Sequence, residues 1–278
     1  MKSWRTLRTI WTLATHARSG LTWRDRWLAF LLAGLVSLGE RRARARAWFL
    51  ERINAHAQNG QVTLRLRIGT RACSFAMRQG DREDFLIGGE LVKGAYPAPP
   101  FTPRQIVDGG ANIGMFGVLA KALFPDARLV CFEPDEKNLA QLRHNFAANG
   151  IVADIHPVGL WSRETTLYYH PGTSYGGYID EQPPGIPIPC VVPRIDADCW
   201  LKLDIEGSEY EVLPRLLADG AYPRWISMEI HDFNRRGSAL LALLRQHGYE
   251  ISGDVSPGLS CTTVEAWRNA ADSAGETH

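Results

Sequence analysis

Val107-Asp108-Gly109-Gly110-Ala111-Asn112-Ile113-Gly114 joins a short apolar run to a helix-like pattern extending from Met115 to Phe124. The order is strand, glycine-rich turn, helix. Glycine has no side chain to clash, so such a turn lets a backbone approach a ligand closely. Nineteen residues beyond Gly114, the next apolar run, Arg128 to Phe132, ends in Glu133. An acid at that spacing can hold a ribose diol, and turn and acid together predict a nucleoside cofactor site.

Two cofactors fit such a site. Gly109-x-Ala111-x-x-Gly114 is one residue away from the dinucleotide pattern G-x-G-x-x-G, so an NAD-dependent oxidoreductase is one reading. Asp108 and Asn112 favour the other. Asp108 directly precedes the glycines, where a carboxylate would repel a pyrophosphate. It could instead accept a hydrogen bond from an ammonium group, directly or through water. Asn112 stands in place of a middle glycine, and its amide can contact an amino-acid moiety. S-adenosylmethionine (SAM) carries an ammonium group and no phosphate.

Around the turn, apolar runs and helical patterns alternate. Strands are expected near 106–108, 128–133, 152–158, 201–204 and 225–231, and helices over 115–124, 136–149, 208–219 and 237–247. This alternation predicts an α/β fold, a parallel sheet with helices on both faces. Residues 249–252 and 260–264 are expected to close it as an antiparallel pair. Upstream, period-two alternation over 61–77 predicts a β-hairpin, 81–91 a short helix, and 96–103 a rigid proline-rich loop. Ligands of open α/β sheets bind at the carboxyl ends of the strands. That rule selects Asp108, Glu133, residues 157–159, Asp204 and residues 229–231.

The segments VDGGANIG, FEPDEKN (Phe132 to Asn138), Asn145 with Asn149, LKLDIEGSE (Leu201 to Glu209) and MEIH (Met228 to His231) occur in this order over roughly residues 80 to 265. Together they resemble the FkbM-type methyltransferases. The resemblance implies a class I methyltransferase Rossmann-like domain with a mostly parallel seven-stranded sheet. It implies SAM as methyl donor and methylation of a hydroxyl on a sugar, glycolipid or natural product. It places Asp108, Gly110, Asn112 and Gly114 at the methionine end and Glu133 at the ribose. Gly109, Ala111, Pro134 and Val158 complete the expected cofactor set. Two departures stand out: Gly109, where the family often has an apolar residue, and the shortened approach from Arg194 to Trp200.

The sulfonium already activates the methyl group, so such an enzyme aligns the acceptor and deprotonates it. His231 is the expected general base, because its ordinary pKa of ~6.5 lies near working pH. Asp204 or Glu229 is expected to orient it, with Glu206 nearby. Glu206 and Glu209 also suit the first turn of a helix. Asp204, Glu206, Glu229 and His231 are ligand types for Mg²⁺ or Mn²⁺, although a metal is not the favoured reading. His156 and His170 are expected to be structural. The stretch from Tyr168 to Pro189, rich in Gly, Pro and Tyr, is expected to be a mobile acceptor lid.

Charge divides the chain. Residues 1–60 hold eleven Lys/Arg against three Asp/Glu, while the rest holds twenty against twenty-seven. A basic N-terminal helical segment, 1–60, is therefore expected ahead of a SAM-dependent methyltransferase domain, 61–278. Residues 3–58 suggest two or three helices. Trp27 to Gly39 is the longest apolar run, and thirteen residues of helix span roughly 20 Å, short of a bilayer core of ~30 Å. The run is expected to pack as a helix against the domain or a second subunit. The second reading is peripheral membrane contact through residues 20–50, where arginines flank tryptophans. No recognised nucleic-acid motif accompanies these arginines. Five scattered cysteines without a C-x-x-C predict a reduced, cytoplasmic protein, at most peripheral at the inner membrane face. The expected partner is a small-molecule or glycan acceptor. A non-catalytic SAM-binding module is the non-enzyme alternative.

Overall fold

The structure is a computed structural model that describes residues 19–38, 42–172, 177–256 and 258–268. The start of the predicted N-terminal helical stretch, residues 3–18, and the polar tail beyond 268 lie outside the described residues. The chain divides into two compact units. A helical unit takes residues up to 97 with 113–123 and 140–151, and a sheet unit takes 98–112, 124–139 and 152 onward.

The helical unit contains α1 (Trp23–Ser37), α2 (Ala43–Asn54), the antiparallel hairpin β1 (Gln61–Ile68) and β2 (Arg71–Arg78), and α3 (Arg82–Lys93). It also holds α4 (Met115–Leu123) and most of α5 (Glu136–Ala148). Thr22 and Asp25 form a reciprocal capping box at the start of α1. Leu28, Leu31, Leu32 and Leu35 are buried, and Gly34 lets the Phe49 ring lie directly against the helix. The long apolar run is therefore a packed helix of about 22 Å. No helix among the described residues is long and apolar enough to cross a membrane. Trp23, Trp27 and Trp48 stay 81%, 42% and 42% exposed.

Asn145 and Asn149, one helical turn apart on α5, pair with the open edge of β2. Asn145 Oδ1 accepts the Ala76 N–H at 2.8 Å while its Nδ2 donates to Ala76 O at 3.0 Å and Ile113 O at 2.8 Å. Asn149 repeats the exchange with Ser74 at 2.8 and 2.7 Å. Two side-chain amides thus replace a missing strand.

The sheet unit is built on β3 (Gln105–Gly109), β4 (Arg128–Phe132), β5 (Asp154–His156), β10 (Cys199–Leu203), β11 (Trp225–Ile230), β12 (Glu250–Gly253) and β13 (Thr262–Trp267). The order is β12-β13-β11-β10-β3-β4-β5, antiparallel only where β13 meets β11 and β12. Buried parallel strands require apolar residues on both faces. In β10, Leu201 and Leu203 share a core with α6 (Glu209–Ala218) and α7 (Ser238–Gln246), while Trp200, of opposite pleat, meets Phe124 edge-on. That second face also carries Lys202 on β10 and Asp108 on β3, which are register partners.

Between β5 and β10 lies a second sheet: β6 (Gly159–Leu160), β7 (Thr165–His170), β8 (Tyr178–Asp180) and β9 (Ile186–Val191), ordered β6-β9-β7-β8. The expectation of a mobile loop from Tyr168 to Pro189 is corrected here. Its apolar alternates Leu167, Tyr169, Ile188 and Cys190 form a small core of their own, which commits the stretch to strands. Residues 173–176 within it lie outside the described residues.

Candidate functional site

The carboxyl ends of β3, β4, β10 and β11 bring the predicted residues of the sheet unit together. Gly110 has φ +70°, and a Cβ there would lie 1.9 Å from the Asp204 carbonyl oxygen, so only glycine permits this close approach. Gly109, the departure from the family pattern, faces Leu160 and Leu203, whose side chains fill the space a larger residue would take. Gly114 lies in the helical unit against Leu142 and Phe146.

The polar groups of the turn are bonded within the protein. The N–H groups of Gly110 and Ala111 both donate to Phe132 O at 3.0 Å. Asn112, itself at φ +46°, donates its N–H to Glu133 Oε2 at 2.7 Å. Glu133 Oε1 accepts the Asp135 N–H at 2.9 Å. Oε1 also accepts a long bond from Asn138 Nδ2 at 3.4 Å, whereas Oε2 accepts the Asn112 N–H and retains a lone pair for a ligand hydroxyl. Burial pushes Glu133 up to about 7, against the lowering effect of these N–H bonds. Pro134 and Val158 are half-buried beside this strand end, and Ala111 is buried.

Asp108 is fully buried. The ammonium group it faces belongs to Lys202, whose Nζ lies 3.4 Å from Asp108 Oδ1 and 3.9 Å from Asp204 Oδ2. Where a ligand ammonium was expected, this carboxylate, sealed in the sheet, pairs with a cation of the protein. Burial raises the Asp108 pKa and the Lys202 charge opposes it. Lys202 was missed in the sequence, although it sits two residues before Asp204 on the same face of its strand.

The strand-to-helix turn after β10 carries the acids. Glu206 has φ +52°, and the buried Glu209 accepts the N–H groups of Ile205 at 3.0 Å and Gly207 at 2.9 Å, which ties the turn together. His231 lies between them, with Nε2 3.2 Å from Glu206 Oε2 and Nδ1 3.2 Å from Glu209 Oε1. Glu206 and Glu209 therefore orient His231, rather than Asp204 or Glu229. Glu229 instead accepts a hydrogen bond from Cys261 Sγ at 2.8 Å, a partner that no sequence spacing announces. Burial disfavours a charged His231, but its hydrogen bonds and the Glu209 and Glu206 charges outweigh this and push it up to about 12. A raised pKa favours the protonated ring, which counts against the general-base role expected of His231. Glu206 is the group poised near neutrality. Burial and the neighbouring carboxylates Asp204, Glu229 and Glu209 push it up to about 7, although His231 pulls it down.

Ligand atoms of Asp204, Glu206 and His231 lie within 4.8 Å of one another, as do those of Glu229, His231 and Cys261. His156 stacks on Phe132, and His170 bonds Asp180 at 2.9 Å while stacking on Tyr178, consistent with the structural roles expected of both.

A family model described as the methyltransferase FkbM domain matches residues 108–251, from Asp108 of the turn into the edge strand β12. The chain belongs to the FkbM methyltransferase family. Among FkbM relatives, it is 28% identical to the 31-O-demethyl-FK506 methyltransferase FkbM of Streptomyces tacrolimicus, covering 58% of this chain and 79% of that protein. It is 27% identical to the AMB antimetabolite synthetase AmbE of Pseudomonas aeruginosa, covering 53% of this chain but 10% of that protein. A solved methyltransferase FkbM from Methylobacillus flagellatus KT aligns over 95% of this chain and 60% of its own, at 16% identity and a TM-score of 0.42.

Proposed function

We propose that the chain is a SAM-dependent O-methyltransferase acting on a hydroxyl of a sugar, a glycan or a sugar-bearing natural product. The observation that carries the cofactor assignment is the internal bonding of the turn. A pyrophosphate binds to free N–H groups at such a turn. Those of Gly110, Ala111 and Asn112 are occupied by Phe132 O and Glu133. SAM makes no such demand, and Glu133 keeps a lone pair on Oε2 for its ribose. Membership of the FkbM family and the O-methyl chemistry in the name of the Streptomyces relative support methyl transfer to a hydroxyl oxygen.

In this scheme Glu206 takes the acceptor hydroxyl proton as the methyl group moves from sulfur to oxygen. The His231 imidazolium, clamped by Glu209, fixes the Glu206 carboxylate, and Gly207 beside it keeps the turn open. Calorimetric titration with SAM and with NAD separately tests the cofactor. Transfer of labelled methyl from SAM into a glycan extract tests the reaction. Binding of NAD alone removes the proposal, and SAM binding without transfer across acceptors supports a non-catalytic module.

Peripheral membrane contact forms part of the same proposal. Exposed Trp23, Trp27 and Trp48 occur with exposed Arg26, Arg44 and Arg52, a combination suited to an anionic bilayer surface. Co-sedimentation with anionic but not neutral vesicles supports it, and equal recovery with both removes it.

A further inference from the structure

Lys202 is an unusual residue to bury, because an ammonium group in a sheet interior needs a full set of acceptors. It has them. Nζ donates to Gly110 O at 2.7 Å and Gly109 O at 3.2 Å, and Asp108 lies beside it at 3.4 Å. Gly109 O also accepts the Asp204 N–H at 3.2 Å. The N–H groups of the same turn are held from β4, by Phe132 O and Glu133. The turn is thus gripped through its carbonyls from β10 and through its N–H groups from β4.

We infer that Lys202 is a positioning residue for the cofactor: its ammonium draws two consecutive carbonyls inward, and this sets the backbone path of the glycine turn against which SAM lies. Asp108 is then the counter-charge that makes the buried ammonium tolerable. The charged and titratable groups around the pair are Asp204 on β10, and Cys131 and Glu133 on and beyond β4. The role of the turn in holding SAM rests on the proposed function, whereas the grip of Lys202 on the turn does not.

Three variants separate positioning from charge neutralisation. Lys202→Met removes the grip and leaves Asp108 without its cation. Lys202→Met with Asp108→Asn removes both charges and keeps the volume. Lys202→Arg keeps the charge but cannot place one compact ammonium between two adjacent carbonyls. Thermal unfolding should show Lys202→Met destabilised and the double variant largely restored. SAM affinity, by calorimetry, should fall about tenfold or more in Lys202→Met and stay weak in the double variant. The KM for the acceptor should hold, and Lys202→Arg should not recover SAM affinity. Hydrogen exchange of the peptide over 107–114 should rise in both Met variants without any ligand.

Wild-type SAM affinity in the double variant would overturn the inference, because Lys202 would then serve only to neutralise Asp108. Unchanged hydrogen exchange of the turn would overturn it as well. If the wild type itself binds no SAM, the proposed function fails, and the exchange measurement still decides whether Lys202 shapes the turn.

Discussion

Glu133 and Asn112 are joined across two strand ends by a single short bond: the Asn112 N–H donates to Glu133 Oε2 at 2.7 Å. The acid expected to hold a ribose therefore also holds the turn. Glu133→Ala should weaken SAM binding roughly ten- to a hundredfold, since it removes acceptors for the ligand and for the Asn112 and Asp135 N–H groups. Glu133→Gln should also lose affinity, because an amide offers one acceptor oxygen where these two N–H groups need two. The wild type carries a pH signature. Burial pushes Glu133 up to about 7, so the carboxylate takes a proton as pH falls through that value and SAM affinity should drop on the acid side. Calorimetric titrations between about pH 6 and 8 check this, and a flat profile would count against Glu133 as a ligand.

Turnover should report a different acid. With Glu206 up at about 7 and His231 up at about 12, kcat should rise with pH as Glu206 loses its proton, and His231 should not titrate in the working range. Glu206→Gln should lower kcat roughly 10²-fold with SAM affinity nearly kept. His231→Ala should lower kcat too, and move the rising limb of the profile toward higher pH, because it removes the cation that pulls the Glu206 pKa down. A Glu206→Gln variant with full turnover would sink the base assignment.

Much of this arrangement was legible in the sequence, and the failures share a cause. The strands of the seven-stranded sheet and the helices between them follow from alternation and turn residues, which are local properties of the chain. The gathering of Asp108, Glu133, Asp204, Glu206 and His231 follows from the strand-end rule once the parallel order is known. Partnerships across strands do not follow. Asp108 meets Lys202 rather than a ligand because of a ladder register that couples residues 94 positions apart. His231 has a strongly raised pKa because two acids of one turn close on it from another element. Cys261 reaches Glu229 from the residue just before the antiparallel strand β13. The stretch after Tyr168 was misread because Gly, Pro and Tyr suggested a lid, while its alternating Leu167, Tyr169, Ile188 and Cys190 built a small sheet.

Chelation tests the acid cluster as a whole. Asp204, Glu206 and His231 are close enough to share an ion, but Nε2 and Nδ1 of His231 already face Glu206 and Glu209. The imidazolium thus stands as the cation of the cluster. Turnover should therefore survive EDTA treatment and gain nothing from added Mg²⁺ or Mn²⁺. Loss of activity on chelation, restored by either ion, would replace the imidazolium with a metal and reassign Glu206 from base to ligand.

Asn145 supplies the clearest stability prediction. It is fully buried, accepts one backbone N–H and donates to two backbone carbonyls, at Ala76 and Ile113. Asn145→Ala leaves the Ala76 N–H without its side-chain acceptor and takes a donor from Ile113 O, while Gln141 Nε2 still donates to Ala76 O at 2.9 Å, and it should destabilise the fold by roughly 2–4 kcal/mol. Asn145→Asp keeps the acceptor for the Ala76 N–H but turns both donor bonds into oxygen–oxygen repulsion, so it should cost at least as much near neutral pH. Asn149→Ala should cost less, because Asn149 and Ser74 are only partly buried and water can replace the bonds. Urea unfolding followed by tryptophan fluorescence measures all three. If Asn145→Ala unfolds at the wild-type midpoint, the amide ladder along β2 is not what holds the hairpin to α5.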